Sequence, residues 1–265
     1  MKSRAEELAR AVDAPGERLN VLREFLQATI LRSLHESEAF QALSFVGGTA
    51  LRFIYDLQRF SEDLDFSVES ITSYDPRSFV KRLQRDLELA GFDADVSWND
   101  GKTVHVGWVR VGDLLQSVGL APTPGQKLAI KIEADTNPPA GAVTANRLVN
   151  RHFLVAFRHH DLASLMAGKV HALIARPYPK GRDWYDLLWY RTRAEPVDPN
   201  LPLLQAALDQ TQGTGLFDAH NWRTYVRGRL DTHDARVLRD DVSPFLERRS
   251  DADLITSEHL LQVLQ

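Results

Sequence analysis

The apolar positions divide the chain into a part with mixed strand and helix periods and a part with helical periods alone. Between Arg4 and Ala39 apolar residues recur at intervals of three and four, which predicts a helical lead-in. A short apolar run predicts a strand at 43–46, and alternating stretches predict strands at 63–68, 94–98, 103–111 and 128–135. A further strand is expected within 153–157. After Asp161 the periods are helical and interrupted by prolines. We therefore expect an α/β (α+β) protein, with a mixed sheet in residues 1–158 and a helical lobe in residues 159–265.

The composition is that of a folded protein and excludes several classes of function. The 265 residues are 43% hydrophobic and 26% charged, which excludes disorder as the main state. The formal net charge of −4 means that a nucleic acid would need a local basic surface. The absence of Cys excludes disulfides, thiolate metal sites and a Cys nucleophile. Without a long apolar run or an apolar signal region, we expect a cytoplasmic protein with no membrane partner.

A pair of aspartates is the first candidate for chemistry. Asp63 and Asp65 are two residues apart on a predicted strand, so both side chains share one face. Two anions about 4 Å apart repel by about 4 kcal/mol at an effective dielectric near 20, which favours a raised pKa or a bound cation. Oxygen ligands suit Mg²⁺ or Mn²⁺. Because Asp-x-Asp is short and common, an ordinary solvated strand face remains the alternative.

Two further motifs favour a phosphate-binding site with a metal ion. Gly47 and Gly48 form a turn after a strand, where backbone N–H groups can approach a triphosphate, and we expect Thr49 to cap the following helix. A plain tight turn is the alternative. Glu133 lies on a later strand with a charged face and would supply a third metal carboxylate if that strand lies beside Asp63. Otherwise its strand is an exposed edge.

A lysine in an apolar helical stripe is the next candidate. Lys169 lies at the centre of the stripe of a helix over 161–176 that Asp161 caps, so its ammonium must meet an anion. That anion is either a core carboxylate or a phosphate in a cleft between the lobes, and we favour the phosphate. Arg176 continues the same face. Asp183 comes in the first turn of the next helix, where stabilising the helix dipole would alone account for it.

Together these motifs resemble those of the AbiEii-type nucleotidyltransferase toxins. The resemblance runs from about Ser44 to Leu188, and it rests on the following residues as they stand here: Phe45-Val46-Gly47-Gly48-Thr49-Ala50-Leu51, Arg59-Phe60-Ser61-Glu62-Asp63-Leu64-Asp65-Phe66, Lys169 with Ala172-Leu173 and Arg176, and Arg182-Asp183-Trp184-Tyr185-Asp186-Leu187. It implies a polymerase-β-like nucleotidyltransferase lobe followed by a helical lobe that completes the active-site cleft. Nothing recognisable covers the residues after about Arg193.

The resemblance also implies roles for individual residues. The residues that would bind the nucleoside triphosphate are Gly47, Gly48, Thr49, Arg176 and Arg182. Those that would hold Mg²⁺ or Mn²⁺ are Asp63, Asp65 and Glu133. The catalytic residues would be Asp63, Asp65, Lys169 and Asp183.

The implied activity is transfer of a nucleoside monophosphate from a nucleoside triphosphate to an RNA acceptor, the tRNA 3′ end, with release of pyrophosphate. A cognate antitoxin is the implied protein partner. Candidate RNA contacts are Arg151, Arg158, His159 and His160, while a solvated helix face is favoured for Arg223, Arg227 and Arg229. Two alternatives stay open: an enzyme that modifies a small molecule, as antibiotic nucleotidyltransferases do, and a nucleotide-binding regulatory module without turnover.

Overall fold

Two compact units make up the protein. The computed structural model describes residues 1–123 and 125–265. The first unit, here called the sheet unit, comprises Met1–Asp56, Phe60–Pro138 and Asn146–His159. The second, the helical unit, comprises Leu57–Arg59, Pro139–Ala145 and His160–Gln265. Each unit therefore contains segments that are distant in sequence.

A seven-stranded sheet organises the first part of the chain. Its strands are β1 (Leu43–Val46), β2 (Leu64–Val68), β3 (Ala94–Asn99), β4 (Val104–Val111), β5 (Leu128–Asp135), β6 (Thr144–Asn150) and β7 (Leu154–His160). They lie in the order β3-β4-β5-β2-β1-β7-β6. β2 is antiparallel to β1 and parallel to β5, and β1 is parallel to β7. The predicted mixed α/β fold is confirmed.

The strands with clear alternation were the ones that the sequence predicted. In β5 the apolar residues are buried and the residues between them are partly exposed, so one face packs on the core. β6 was not predicted, because its exposed and half-buried side chains leave no apolar alternation. It is an edge strand, which needs no buried face.

Helices cover the sheet. They are α1 (Lys2–Arg10), α2 (Pro15–Glu36), α3 (Gly47–Tyr55), α4 (Pro76–Leu89) and the short α5 (Leu114–Ser117). The predicted helical lead-in is two helices, because Pro15 starts α2 and disfavours a helical conformation at Ala14. Beneath the helices, the ring of Phe45 stacks on those of Phe66 and Phe157, each with a centroid distance of 5.4 Å. The aromatic core thus fixes β1 between its neighbours.

Short helices form most of the second unit. They are α6 (Leu162–Ala175), α7 (Gly181–Arg191), α8 (Leu201–Gln212), α9 (Trp222–Leu230), α10 (Ala235–Val242) and α11 (Ser257–Gln262). The Asp161 carboxylate accepts a 2.8 Å hydrogen bond from the Ser164 N–H, which confirms the predicted cap of α6. A Cβ atom on Gly181 would collide with the Leu238 carbonyl, so glycine lets α7 and α10 approach closely. Within the described ranges, none of the helices combines the length and apolar character needed to cross a membrane.

A buried glutamate links α2 to α3 and to the segment before β7. Glu24 forms ion pairs with Arg52 and, at 3.2 Å, with Arg151, and its Oε1 lies 3.0 Å from Nε2 of His152. Burial by itself raises the pKa of Glu24, but the hydrogen bond with His152 and the charges of both arginines outweigh it and lower the pKa to about 2. The ionised carboxylate therefore stabilises the folded state.

Replacement of Glu24 tests this contribution. A carboxyl with a folded pKa near 2 and an unfolded value near 4.5 contributes stability above pH 4.5 and loses it as the pH falls towards 2. We expect Glu24→Gln to lower the free energy of unfolding by about 3 kcal/mol at pH 7 and by about half of that at pH 3. Urea unfolding followed by circular dichroism measures both values. Glu17→Gln, at an exposed site on the same helix, should change stability by less than about 0.5 kcal/mol. An equal loss at both pH values would contradict the assignment.

Candidate active site

Three carboxylates share one face of the sheet. Asp65 on β2 pairs in register with Glu133 on β5, and the two strands are parallel, so both side chains project to the same side. Asp63 comes one residue before β2, and Lys131 is two residues before Glu133 on β5. We call Asp63, Asp65, Glu133 and Lys131 the carboxylate face. The strand of Glu133 does lie beside that of the aspartates, as Glu133's predicted role required.

Lys131 brings a cation to the carboxylate face. Its Nζ lies 2.7 Å from Oε1 of Glu133, and both side chains are about one-third exposed. The hydrogen bond to Glu133 raises the pKa of Lys131, partial burial opposes this, and the nearby Asp63 and Asp65 raise it further. The protonated ammonium therefore offsets part of the negative charge of this face.

The donor set of the carboxylate face fits a hard divalent cation. Carboxylate oxygens are the ligands that Mg²⁺ and Mn²⁺ prefer. Across residues 1–123 and 125–265, however, no three His, Asp or Glu side chains are arranged so that they could share one metal ion. Glu133 instead pairs with Lys131. The assignment of Asp63, Asp65 and Glu133 as metal ligands stays a prediction.

The glycine turn is built against the two aspartates. Gly47 has a φ of +77°, and a Cβ atom there would collide with the Asp65 carboxylate, so only glycine fits without strain. The Thr49 hydroxyl donates a hydrogen bond to the Asp63 carbonyl oxygen. The expectation that Thr49 caps α3 was wrong, because α3 begins at Gly47 and Thr49 lies within its first turn. The turn therefore holds both aspartates in position.

Five charged residues form a buried ion network in the helical unit. Nζ of Lys169 on α6 lies 3.0 Å from Asp183 and 2.8 Å from Asp186, both on α7. Arg59 donates from Nε and Nη2 to the two carboxylate oxygens of Asp186, at 2.6 and 2.7 Å. Arg176 forms an ion pair with Asp183. Each aspartate thus contacts Lys169 and an arginine.

The charges of the network stabilise each other. Burial by itself raises the pKa of both aspartates, but Lys169 and Arg176 lower that of Asp183, and Arg59 and Lys169 lower that of Asp186. Burial lowers the pKa of Lys169, and the two aspartates outweigh it and raise the pKa above its usual value. The five residues named here, three cations and two anions, carry a formal charge of +1 at neutral pH.

Sequence comparison identifies the family. The sequence model of the family described as "Nucleotidyl transferase AbiEii toxin, Type IV TA system" matches residues 29–260, which is most of the chain. The chain belongs to the AbiEii nucleotidyltransferase toxin family. The resemblance inferred from the motifs is therefore confirmed. No curated protein sequence matches the chain.

Solved structures share the fold of this AbiEii family member. MenT4, a nucleotidyltransferase toxin from Mycobacterium tuberculosis, is 18% identical, with 100% of this chain and 89% of that chain covered and a TM-score of 0.54. JHP933 from Helicobacter pylori is 17% identical, with 92% and 91% covered and a TM-score of 0.54. At these identities the likeness shows the fold alone, and it confirms the predicted nucleotidyltransferase architecture.

Lys169 of the AbiEii protein has carboxylate partners in the structure. We favoured a phosphate as its anion, whereas the observed contacts are those of the alternative, a buried ion pair. Its side chain is nevertheless 15% exposed, against 0% for Asp186. Asp183 lies in the first turn of α7, as expected. The catalytic roles of Lys169 and Asp183 stay predictions.

The other predicted contacts have structural partners of their own. Arg176 pairs with Asp183, and the Arg182 guanidinium lies 4.1 Å from the centroid of the Phe245 ring. Gly48 is buried in α3. The basic residues considered as RNA contacts are engaged or buried within their own units: Arg151 with Glu24, Arg158 with the Gln41 carbonyl, His159 against Tyr55, His160 in a buried position, Arg223 with Asp198, Arg227 with the Leu264 carbonyl and Arg229 with the Arg176 carbonyl. Arg227 is exposed and Arg223 and Arg229 are half-buried, so the solvated helix face stays a prediction for these three residues.

Sequence reasoning gave no role to three residues that these two clusters contain. Arg59 begins the motif of residues 59–66, and its partner Asp186 is 127 positions away, so no local pattern joins them. Asp186 shares a helical face with Asp183, and that spacing could have indicated a common partner. Lys131 stood two residues before Glu133 on the predicted strand, which was the available signal for its contact.

Replacement of Lys169 tests the network. Lys169→Met leaves Asp183 with Arg176 and Asp186 with Arg59, so we expect the free energy of unfolding to fall by about 1 to 3 kcal/mol. Arg59→Met leaves the fully buried Asp186 with Lys169 alone and should cost about 3 to 5 kcal/mol. Urea unfolding without nucleotide measures both losses. Lys81→Met, at an exposed site on α4, is the control. A Lys169→Met protein as stable as its parent would show that these ion pairs do not stabilise the fold.

Proposed function

We propose that this AbiEii family member transfers a nucleoside monophosphate from a nucleoside triphosphate to an RNA acceptor, the 3′ end of tRNA, and releases pyrophosphate. A cognate antitoxin would restrain it. The observation that carries the proposal is the register of β2 and β5, which aligns Asp65 with Glu133. Asp63 lies two residues before Asp65, and the Asp65 carboxylate lies against Gly47. Family membership supports the transferase class and the toxin setting.

The carboxylate face is the proposed cation site. Asp63 and Asp65 would hold Mg²⁺ or Mn²⁺, with Glu133 as a third ligand when it releases Lys131. A bound cation would supply charge neutralisation for the phosphates and for an attacking acceptor hydroxyl. The chain's own contribution is to hold Asp63 through Thr49 and Asp65 against Gly47, so that both carboxylates stay on one face.

The glycine turn and the ion network are the proposed triphosphate contacts. Gly47, Gly48 and Thr49 open α3, where backbone N–H groups without a partner inside the helix and the helix dipole favour a phosphate. Lys169 keeps its proton because its pKa is raised, so we assign it the role of a fixed cation and not that of a general base. Arg176 and Arg182 would add positive charge near the phosphates.

One observation favours a second candidate, a small-molecule acceptor. The basic residues that could have formed an RNA surface in residues 151–160 and 223–229 have protein partners or are buried. The chain also has a net charge of −4, which opposes non-specific RNA binding. The same transfer assay separates the two functions, because label appears on RNA for one and on a small acceptor for the other.

Replacement of Asp65 tests the transfer reaction. With α-³²P nucleoside triphosphates, Mg²⁺ and total RNA, we expect the parent protein to label RNA of tRNA size on a gel. Asp65→Asn removes one charge from the carboxylate face and should lower labelling at least ~100-fold while the fold is kept. Asp95→Asn, at an exposed position on β3, is the matched control and should label RNA like the parent.

Growth measurements complete the test. Expression of the parent without a partner should halt bacterial growth, and the Asp65→Asn protein should be harmless at the same soluble level. Equal growth inhibition by both proteins would show that toxicity does not arise from this chemistry. Normal labelling by Asp65→Asn would remove the metal-ligand role of Asp65.

Lys131 gives a test of the cation site that does not depend on turnover. Its ammonium forms an ion pair with Glu133 and offsets the charge of Asp63 and Asp65. It therefore competes with a divalent cation for this face. We expect Lys131→Gln to bind Mn²⁺ about tenfold more tightly than the parent, measured by titration calorimetry or by the electron paramagnetic resonance signal of free Mn²⁺. Lys127→Gln, at an exposed position before β5, should leave the affinity unchanged. Unchanged or weaker Mn²⁺ binding by Lys131→Gln would count against a metal on this face.

A further inference from the structure

A cavity lies on the other side of α7 from the ion network. Its volume is about 540 Å³, and α7 contributes Tyr185, Leu188 and Trp189 to its wall. Tyr185 and Trp189 are four residues apart and share a helical face, which is roughly opposite to that of Asp183. The rest of the wall comes from Arg191 and Thr192 at the end of α7, from Gln58 and from the segment 248–263. All of these residues belong to the helical unit, and none has a role in the proposed transfer.

The α7 side of the cavity is aromatic and apolar. Tyr185 and Leu188 are only 6% and 7% exposed, whereas Trp189 is half-buried, and the Arg193 guanidinium lies 4.5 Å from the Trp189 ring centroid. Burial raises the pKa of Tyr185 to about 12, and the nearby Asp251 and Asp186 act in the same direction, so the hydroxyl stays protonated at neutral pH. Surfaces of this kind bind nucleobases by stacking, whatever the base.

The part of the wall in 248–263 carries polar and charged side chains, among them Arg248 and Asp251. Arg248 donates to Oε1 of Gln58 at 3.2 Å and to Asp251 at 3.3 Å, and its side chain remains 68% exposed. His259 is exposed and Gln262 lies beside it on α11. A guanidinium binds phosphate oxygens in bidentate geometry, and the two glutamine amides can donate to or accept from a base edge.

We propose that this cavity binds one unstacked nucleotide. Its base would lie against Tyr185 and Trp189, and its phosphate would meet Arg248. The volume falls within the range of roughly 300–1,000 Å³ that small-molecule sites occupy. An apolar peptide side chain would fill the aromatic part but would form no polar contact with the exposed Arg248 guanidinium or with the glutamine amides, so the chemistry favours a nucleotide.

The bound nucleotide can be a free mononucleotide or one nucleotide of an RNA strand. The RNA source rests on the proposed function, whereas the mononucleotide source does not. Either source gives a role to the residues after Arg193, because the segment 248–263 forms much of the wall. Arg191 links this segment to α7, since its Nε donates to the Val263 carbonyl at 3.2 Å.

Photo-cross-linking tests the proposal because it identifies which peptides of the protein contact the RNA. The probe is a single-stranded RNA decamer with one 4-thiouridine, irradiated with the full-length protein and mapped by mass spectrometry, with AMP as a competitor. We expect cross-links in 185–193 or 248–263. Trp189→Leu removes the stacking surface, Arg248→Gln removes an exposed charge, and each should lower this cross-linking at least fivefold. Tyr225→Leu, an aromatic replacement outside the cavity wall, and Asp65→Asn should cross-link like the parent.

The outcomes separate this inference from the proposed function. Competition by AMP would identify a mononucleotide site, and resistance to AMP would identify an RNA strand. Absence of cross-links from both 185–193 and 248–263, or parent-level cross-linking of these segments in both Trp189→Leu and Arg248→Gln, would overturn the inference even if Asp65→Asn still abolished transfer. Loss of antitoxin binding in these two variants, with RNA cross-linking unchanged, would also overturn it and would assign the cavity to a protein partner.

Discussion

The position of β2 between β1 and β5 is the constraint on which the candidate chemistry depends. Because strand side chains alternate, a slip of one residue would turn Asp65 away from Glu133. Several contacts oppose such a slip: the stacked ring of Phe66 in the core, the Asp65 carboxylate against Gly47, and the Thr49 hydroxyl on the Asp63 carbonyl. Hydrophobic packing thus fixes the register, and the register fixes the carboxylates.

The two charged clusters, the carboxylate face and the ion network, differ in composition and in exposure to solvent. On the carboxylate face, Lys131 lies near three acids, and the side chains of Lys131 and Glu133 are partly exposed. In the ion network, Asp183 and Asp186 are buried and pair with Lys169 and two arginines. A buried ion pair contributes little net stability once desolvation is counted, although removal of one partner is costly. The helical unit therefore tolerates a charged core only while both arginines and Lys169 are in place.

The sequence predicted those features that depend on local periodicity. β5, the cap of α6 and the shared face of Asp63 and Asp65 follow from spacing alone, and the resemblance supplied the fold. The missed features depend on distant contacts. Exposed edge strand β6 has no alternation, and the Arg59 to Asp186 pair joins positions that no local pattern relates. The anion that meets Lys169 could not be chosen from the sequence, because a core carboxylate and a phosphate satisfy the same ammonium equally well.

The short segment Leu57–Arg59 has a consequence for how the protein can be divided. It belongs to the helical unit, although the residues on both sides of it belong to the sheet unit. Its Arg59 is buried on Asp186, Leu57 is buried, and the Gln58 carbonyl accepts from the Glu247 N–H. A fragment that ends near residue 158 would expose a guanidinium without its carboxylate, and the remaining fragment would bury a carboxylate that lacks its guanidinium. Because each unit is assembled from segments that are distant in sequence, a gene cut near residue 158 would encode two incomplete cores.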